Sequence, residues 1–354
     1  MKFAAFSLMQ WPHDRSAEDV YRNEIGQLVE AEAQGYDAVW VAEHHFSRYG
    51  IGPSIHLTAA HLAALTRRVR IGTAVTILPF FHPVRVAEEI AMLDILSGGR
   101  FDWGVGRGYQ GHEFAGFGVD IAQSHLIFRE QLEIVKRCWG EGRFGFNGAF
   151  YRFPEMEVLP KPVQKPHPPI WIAAISPTTL EWAADAGYPV LTDQFSPTSR
   201  IEEMRAVYFE RAARAGVDVN TVELPALRQV FVGETFARAR EQARPALLWY
   251  YRALANVGSP GGPSGKIPDN YSFYRLFGEQ AFNPDADPDA FCQFLFDHCT
   301  IVGDAAYCRE KIAELRERIR LNYLIAWQNF GDLPDEATRA SQRRLIEQVA
   351  PAFA

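Results

Sequence analysis

The feature that most limits what this chain can fold into is an alternation that begins at residue 2. Short runs of β-branched and aromatic residues are each followed by a stretch whose apolar residues recur every three to four positions. Such alternation is the pattern of βα units packed around a parallel sheet. Lys2 to Leu8 reads as the first strand, and Ser16-Ala-Glu-Asp19 opens a helix with Ile25, Leu28 and Val29 on one face and Gly35 at its end. Asp37 to Ala42, Val69 to Thr76 and Phe101 to Val105 are the next strands. Helices over Ser54 to Thr66 and Pro83 to Leu96 separate them, and a later helix turns Phe128, Leu132, Val135 and Trp139 inward. After a Gly-, Pro- and aromatic-rich excursion over 142–169, with a short hairpin expected around Ala149 to Phe153, the repeat resumes. Its strands are Pro169 to Ala174, Val190 to Asp193, Leu227 to Gly233 and Asn322 to Trp327, and a last helix runs from Pro334 to Ala350. Eight such units in 354 residues predict one α/β domain over 1–354, a (β/α)8 TIM barrel with insertions. The largest insertion is a mobile loop near residues 256–290, which opens with Gly258-Ser-Pro-Gly-Gly-Pro-Ser-Gly265 and holds Tyr271, Phe273, Tyr274, Phe277 and Phe282.

Composition narrows the partners. With 36 Lys+Arg against 43 Asp+Glu the net charge is -7, so the basic stripe of a nucleic-acid binder is missing. No run approaches the ~20 apolar residues of a membrane span, and residues 1–10 lack the apolar stretch of a signal peptide. The four cysteines, Cys138, Cys292, Cys299 and Cys308, have no CxxC spacing and read as free thiols. A cytoplasmic protein is expected.

In a barrel of this kind the active site lies where the strands end. Glu43-His44-His45-Phe46 follows the second strand, and a ring there can exchange a proton near neutral pH. Adjacent histidines in extended chain point to opposite sides, so one of His44 and His45 faces the site. Gly104-Val-Gly-Arg-Gly108 follows the fourth strand. It is not read as a dinucleotide fingerprint, because the helix after it is expected only near Ser124. Its glycines let backbone approach a flat ligand, and Arg107 is either a phosphate ligand or a surface ion pair. Ser176-Pro-Thr-Thr179, after the fifth strand, opens a helix whose free N–H groups and hydroxyls suit an anion. Arg107 and this helix start lie on neighbouring strands and together make a phosphate clamp. No metal is expected, since HExxH is absent and His56, His61 and His82 lack a ligand spacing.

These stretches, taken in order with Gly72-Thr-Ala-Val-x-x-Leu-Pro79, His82-Pro-Val-Arg-x-Ala-Glu-Glu89, Leu93-Asp-x-Leu-Ser-x-Gly-Gly-Arg-Phe101, Glu113-Phe114, Phe117-Gly118 and Val302-Gly303, carry a resemblance. The chain resembles the bacterial luciferase-like, flavin-dependent monooxygenases over essentially its whole length. The resemblance implies a barrel that binds FMN as FMNH2, supplied by a separate flavin reductase. O2 is the co-substrate, and a flavin C4a-hydroperoxide oxygenates a small organic substrate such as an aldehyde or ketone. Carried onto this chain, Arg107, Ser176 and Thr179 would hold the phosphate. Gly106 would border the ring, and Ala74 and Val75, at a non-prolyl cis peptide in the family, would back it. His44 would be the catalytic histidine, with Glu43 and His45 in support. Gly106 stands where the light-emitting subunit has a reactive Cys, Ile175 where it has Glu, and Thr192-Asp193 where it has Ser-Trp, so light emission is not expected. Trp249, Tyr250, Tyr251 and the aromatics of Phe273 to Phe282 suggest an apolar substrate pocket. The family pairing through helices implies a homodimer, with His56 to Ala64 and Val86 to Leu96 supplying the faces. The alternatives are a deazaflavin (F420)-dependent dehydrogenase, a non-catalytic flavin-binding paralogue and a barrel metallohydrolase.

Overall fold

The computed structural model describes residues 1–274 and 284–354, with no side chains described for 272–274. The first half runs β1 (Lys2–Ser7), α1 (Ala17–Gln34), β2 (Ala38–Val41), α2 (Ile55–Leu65), β3 (Arg70–Thr73), β4 (Thr76–Ile77), α3 (Pro83–Ser97), β5 (Phe101–Gly106), α4 (Gly111–Phe117) and α5 (Ser124–Trp139). A hairpin of β6 (Phe144–Asn147) and β7 (Arg152–Met156) leads to β8 (Ile170–Ala173), α6 (Pro177–Asp185), β9 (Val190–Leu191), α7 (Thr198–Arg214) and β10 (Pro225–Val232). The chain ends with α8 (Phe236–Val257), α9 (Pro288–His298), β11 (Ile301–Gly303), α10 (Ala305–Ile319), β12 (Tyr323–Trp327) and α11 (Asp335–Arg344). The last helix closes in a wider turn over Leu345–Val349.

Among the described residues the main sheet follows the order β11-β10-β12-β1-β2-β3-β5-β8-β9, with β4 paired to β5. Every rung in it is parallel. The eight strands expected from the sequence lie in it in sequence order, wound into a (β/α)8 TIM barrel with helices outside. Large aromatics from strands far apart in the sheet meet inside it. The Trp40 ring of β2 stands edge-on to Trp171 of β8 at 5.4 Å, and Trp40 Nε1 donates to the Tyr323 hydroxyl of β12 at 2.7 Å. Gly72 makes room for this, since a Cβ there would lie 2.3 Å from the Trp40 ring. A second apolar layer, including Leu62, Ile90, Val135 and Leu180, seals the helices onto the outer face.

The hairpin expected around residues 149–153 forms, its arms lying on either side of residues 148–151. Ile301–Gly303, to which the sequence assigned no element, is a short strand paired to β10. The insertion expected near 256–290 lies between α8, which ends at Val257, and α9, which starts at Pro288, and its residues 259–271 are seated on the β5–α4 connection. Phe277 and Phe282 lie outside the described residues, as do the side chains of Phe273 and Tyr274. The cysteines are free and buried. No helix among the described residues is long and apolar enough to cross a membrane.

Glu24 of α1 is buried at the upper end of β1, where one carboxyl oxygen accepts from Ser7 Oγ, from the Met9 amide at 3.0 Å and from Asn329 Nδ2 at 3.1 Å. Burial pushes its carboxyl up to about 7. A carboxyl raised in this way favours folding when protonated. Its contribution is complete below the unfolded value of about 4.3 and is lost as the pH rises through about 7. Glu24→Gln keeps an acceptor oxygen and removes the charge. Denaturant unfolding at pH 5 and pH 8 is expected to show the Gln variant gaining ~2–3 kcal/mol on wild type between the two, at about 1.36 kcal/mol per pKa unit.

Candidate active site

The strand ends open into a cavity of about 1100 Å³, its open mouth included. His44, Ala74, Val75, Gly106, Arg107, Ser176 and Thr179 all line it, as does Glu43, whereas His45 does not. The expected alternation of the two histidines is therefore realised. His44 Nδ1 lies 3.0 Å from Glu113 Oε1, and His45 turns the other way to place Nε2 2.9 Å from Glu43 Oε1. Glu113 Oε1 also accepts the His45 amide at 2.8 Å, so this oxygen is an acceptor and His44 Nδ1 carries the proton. Nε2 is then the ring atom left for a ligand. The second Glu113 oxygen is buried without a partner among the described residues. Glu43 is buried too, and burial raises its carboxyl above the usual range, offset by the hydrogen bond from His45.

One wall is built of small residues. Ala74 and Val75 leave the sheet between β3 and β4, joined by a cis peptide bond. Gly106 at the end of β5 lets them approach, since a Cβ there would lie 2.7 Å from Val75 Cγ2 and 3.2 Å from Ala173 Cβ. This is a flat cradle. At its rim, Ser176 occupies the cap position of α6, but its side chain makes no bond to the helix backbone. Its hydroxyl lies 3.0 Å from Thr179 Oγ1, which leaves the first-turn N–H groups open to an anion. Among the described residues Arg107 is not in a surface ion pair. Its guanidinium stacks on the Tyr271 ring at 4.1 Å and donates to the Asn270 carbonyl at 3.0 Å. Arg107, Ser176 and Thr179 also border an adjoining chamber with His125 and Arg129. Flat cradle, cations and free N–H groups together fit the ring and phosphate of a flavin mononucleotide.

Two expectations need correction. Tyr250 and Tyr251 are fully buried behind the wall rather than lining the cavity, and Trp249 does not line it either. The helix after β5 opens at Gly111, not near Ser124, so late helix onset is no ground against a dinucleotide fingerprint. The ground is instead the packing of that helix start, where a Cβ on Gly111 would lie 2.4 Å from the Gly262 amide nitrogen, leaving no space there for a phosphate. Sequence reading also missed the partners of the site. Glu113 has no role until the fold brings it to His44, and Tyr49, Tyr109 and Gln194 line the cavity unannounced. A carboxylate two positions beyond Gly111, the last glycine of the run that follows β5, was the available signal for Glu113.

A family model described as luciferase-like monooxygenase matches residues 1–321. The chain belongs to this family. Among curated relatives, the oxygenase component of the flavin-dependent trigonelline monooxygenase of Acinetobacter baylyi is 32% identical over 100% of this chain and 96% of its own length. Among solved structures, the monooxygenase RslO1 from Streptomyces bottropensis superposes with a TM-score of 0.84 at 28% identity, covering 100% of both chains. The oxygenating constituent of 3,6-diketocamphane monooxygenase of Pseudomonas putida, a Baeyer-Villiger enzyme in complex with FMN, superposes with a TM-score of 0.83 over 100% of this chain and 99% of its own. At 23% identity that likeness speaks for the fold alone.

A proton-exchanging role for His44 would require its Nε2 free, and Glu113 sets that by holding the ring proton on Nδ1. Glu113→Gln can turn its amide N–H toward His44 Nδ1, which moves the ring proton to Nε2 and removes the base. Turnover is expected to fall by ~10²-fold or more, the range of general acid–base help. Flavin affinity, measured by titration, should stay within about threefold, since Glu113 does not line the cavity.

Proposed function

We propose that this chain is the oxygenase component of a two-component monooxygenase that takes reduced FMN from a separate flavin reductase and uses O2 to oxygenate a small organic molecule such as an aldehyde or ketone. The observation that carries the reading is that the flat cradle, the anion clamp and the His44 ring border one cavity. Ala74, Val75 and Gly106 would hold the flavin ring, and Arg107, Ser176 and Thr179 its phosphate. Reduced flavin, when bound, supplies the two electrons that let O2 place one oxygen atom on the substrate and leave the other as water. The protein's share is to exclude solvent with Phe6, Leu191, Phe195 and Leu227, which line the same cavity, and to move a proton at His44 Nε2. Glu43 and His45 hold the segment that presents this ring.

Anaerobic titration with reduced FMN, followed by O2 and a flavin reductase, tests the reading. Micromolar binding and substrate-dependent oxygen incorporation are expected. Binding of a deazaflavin in preference, with hydride transfer that needs no O2, would replace it with the F420-dependent dehydrogenase. Binding without turnover on any carbonyl substrate would leave the non-catalytic paralogue. Riboflavin, which lacks the phosphate, should bind at least tenfold more weakly than FMN. Arg107→Gln should remove most of that difference, as a charge-assisted hydrogen bond is worth ~1.5–3 kcal/mol.

The same reading includes a homodimer. Leu57 and Leu65 of α2 and Met92, Ile95 and Leu96 of α3 stay exposed on neighbouring helices, a patch that a second copy would cover. Sedimentation should give a dimer, and Leu57→Asp with Leu96→Asp should shift it to monomer; a monomeric wild type ends this part of the proposal.

A further inference from the structure

Beyond the flavin cradle the cavity wall is apolar, formed by Phe6, Leu8, Leu191, Phe195, Leu227 and Ile325. The charged groups that border it already have partners. Asp193 accepts the Phe195 and Ser196 amides and the Ser196 hydroxyl. Glu43 takes His45 Nε2 and the Ile77 amide, and Arg107 lies at the clamp. Among the described residues on this side, Thr192 Oγ1 is sealed away from the cavity, and Gln194 keeps an open valence toward it. Gln194, on the segment after β9, donates from Nε2 to the Tyr250 hydroxyl and to the Tyr49 hydroxyl at 3.4 Å.

Both phenols are held in place. The Tyr250 ring packs edge-on against Trp327 and Tyr251, each at 4.8 Å, and its hydroxyl lies 3.3 Å from that of Tyr49. The Tyr49 ring stands 4.8 Å from the His44 ring. The two amide protons of Gln194 are therefore spent on rigid partners, and the side chain cannot rotate without losing both bonds. Its carbonyl Oε1 has no partner among the described residues and is not one of the sealed polar atoms, so it opens onto the cavity. An amide in this state offers a ligand one thing, an acceptor. Apolar pockets orient their ligands through such isolated polar groups.

We propose that Gln194, clamped by Tyr49 and Tyr250, orients the substrate by accepting a hydrogen bond from an O–H or N–H on a neutral and otherwise apolar molecule. The inference rests on the monooxygenase reading and narrows its substrate to carbonyl compounds that also carry a hydroxyl or N–H. Neutrality follows because a buried charge needs a charged or multiply hydrogen-bonded partner, and among the described residues none lines this side of the cavity unpaired. Since Tyr49 touches both Gln194 and His44, the bound donor sits at a fixed place relative to the proton-exchanging ring.

The test uses the full chain loaded with oxidised FMN. The probes are the three hydroxyacetophenone isomers, their methyl ethers and 4-hydroxybenzoate, with binding read from ligand-observed NMR and the flavin spectrum. At least one hydroxy isomer should bind tenfold or more tightly than its ether, the effect of about one hydrogen bond. The benzoate should bind more weakly than that isomer. Gln194→Leu should bring the pair within about twofold, Tyr250→Phe should weaken the preference by freeing an amide proton, and FMN affinity should be unchanged in both. Ethers that bind as well as or better than the phenols, a preference that survives Gln194→Leu, tighter binding of the benzoate, or no binding of any probe would each overturn the assignment while leaving the flavin reading intact. Failure of FMN itself to bind would sink both.

Discussion

Thr73 Oγ1 takes the amide proton of Gly104 at 2.9 Å and gives its own to the Gly104 carbonyl at 2.8 Å. The parallel ladder between β3 and β5 stops at the Gly72–Asp102 pair and resumes with β4 at Thr76–Val105. In the interval this hydroxyl stands in for a backbone rung, so the sheet stays joined while Ala74 and Val75 step out of it toward the cavity. The exchange demands closeness: a Cβ at residue 104 would lie 1.8 Å from the Thr73 carbonyl oxygen, and only glycine avoids that. The far side of the step is pinned as well. Thr76 Oγ1 meets His56 Nε2 at 3.1 Å, and His56 Nδ1 meets Glu89 at 2.8 Å, so α2 and α3 both hold the point where the chain re-enters the sheet. The cradle is rigid because these polar ties, rather than its own small side chains, fix its position.

The two buried carboxylates beside the histidines divide the work of holding the β2–α2 connection. Glu43 ties His45 to the Ile77 amide of β4, and Glu113 ties the His45 amide and the His44 ring to α4. Each carboxylate bridges two elements that come from different βα units. A buried carboxylate is costly unless it collects several donors, so removing either partner unsettles more than one contact. The arrangement explains why a site on loops can be held still: the loops are cross-linked by charge-assisted hydrogen bonds to strands and to one another.

What was legible in the sequence follows from which physical signals are local. The strands stand out because a parallel sheet buried on both faces needs continuous apolar runs, and residues just after those runs land on one face by barrel geometry. That is why His44, Arg107, Ser176 and Thr179 stand out in the sequence and why they border one cavity. Ile301–Gly303 was too short to show a period, and α4 was hidden because its glycines lower helix propensity. Cross-chain pairings left no local trace. His44 and Glu113 are 69 residues apart, and Gln194 and Tyr250 are 56 apart. Their relation exists only once the fold supplies it. The aromatic run at Trp249–Tyr251 was read as pocket lining from composition alone. Its helical phase instead turns Tyr250 into the core with only its hydroxyl reaching the wall.

The strap over residues 259–271 lies on the β5–α4 connection. Its Ser259 carbonyl accepts the Gly111 amide at 3.0 Å, and the Tyr271 hydroxyl donates to the Gly108 carbonyl at 2.6 Å. The strap thus rests on the same β5–α4 connection that carries Arg107 on one side and Tyr109 on the other. Arg107 meets it through a neutral carbonyl and an aromatic face, contacts weaker than the charge-assisted bonds that a phosphate would offer. A phosphate arriving at α6 would exchange a weaker partner for a stronger one at Arg107, and among the described residues no ion pair would break. A guanidinium already in contact with protein would thus stay competent to hold a phosphate.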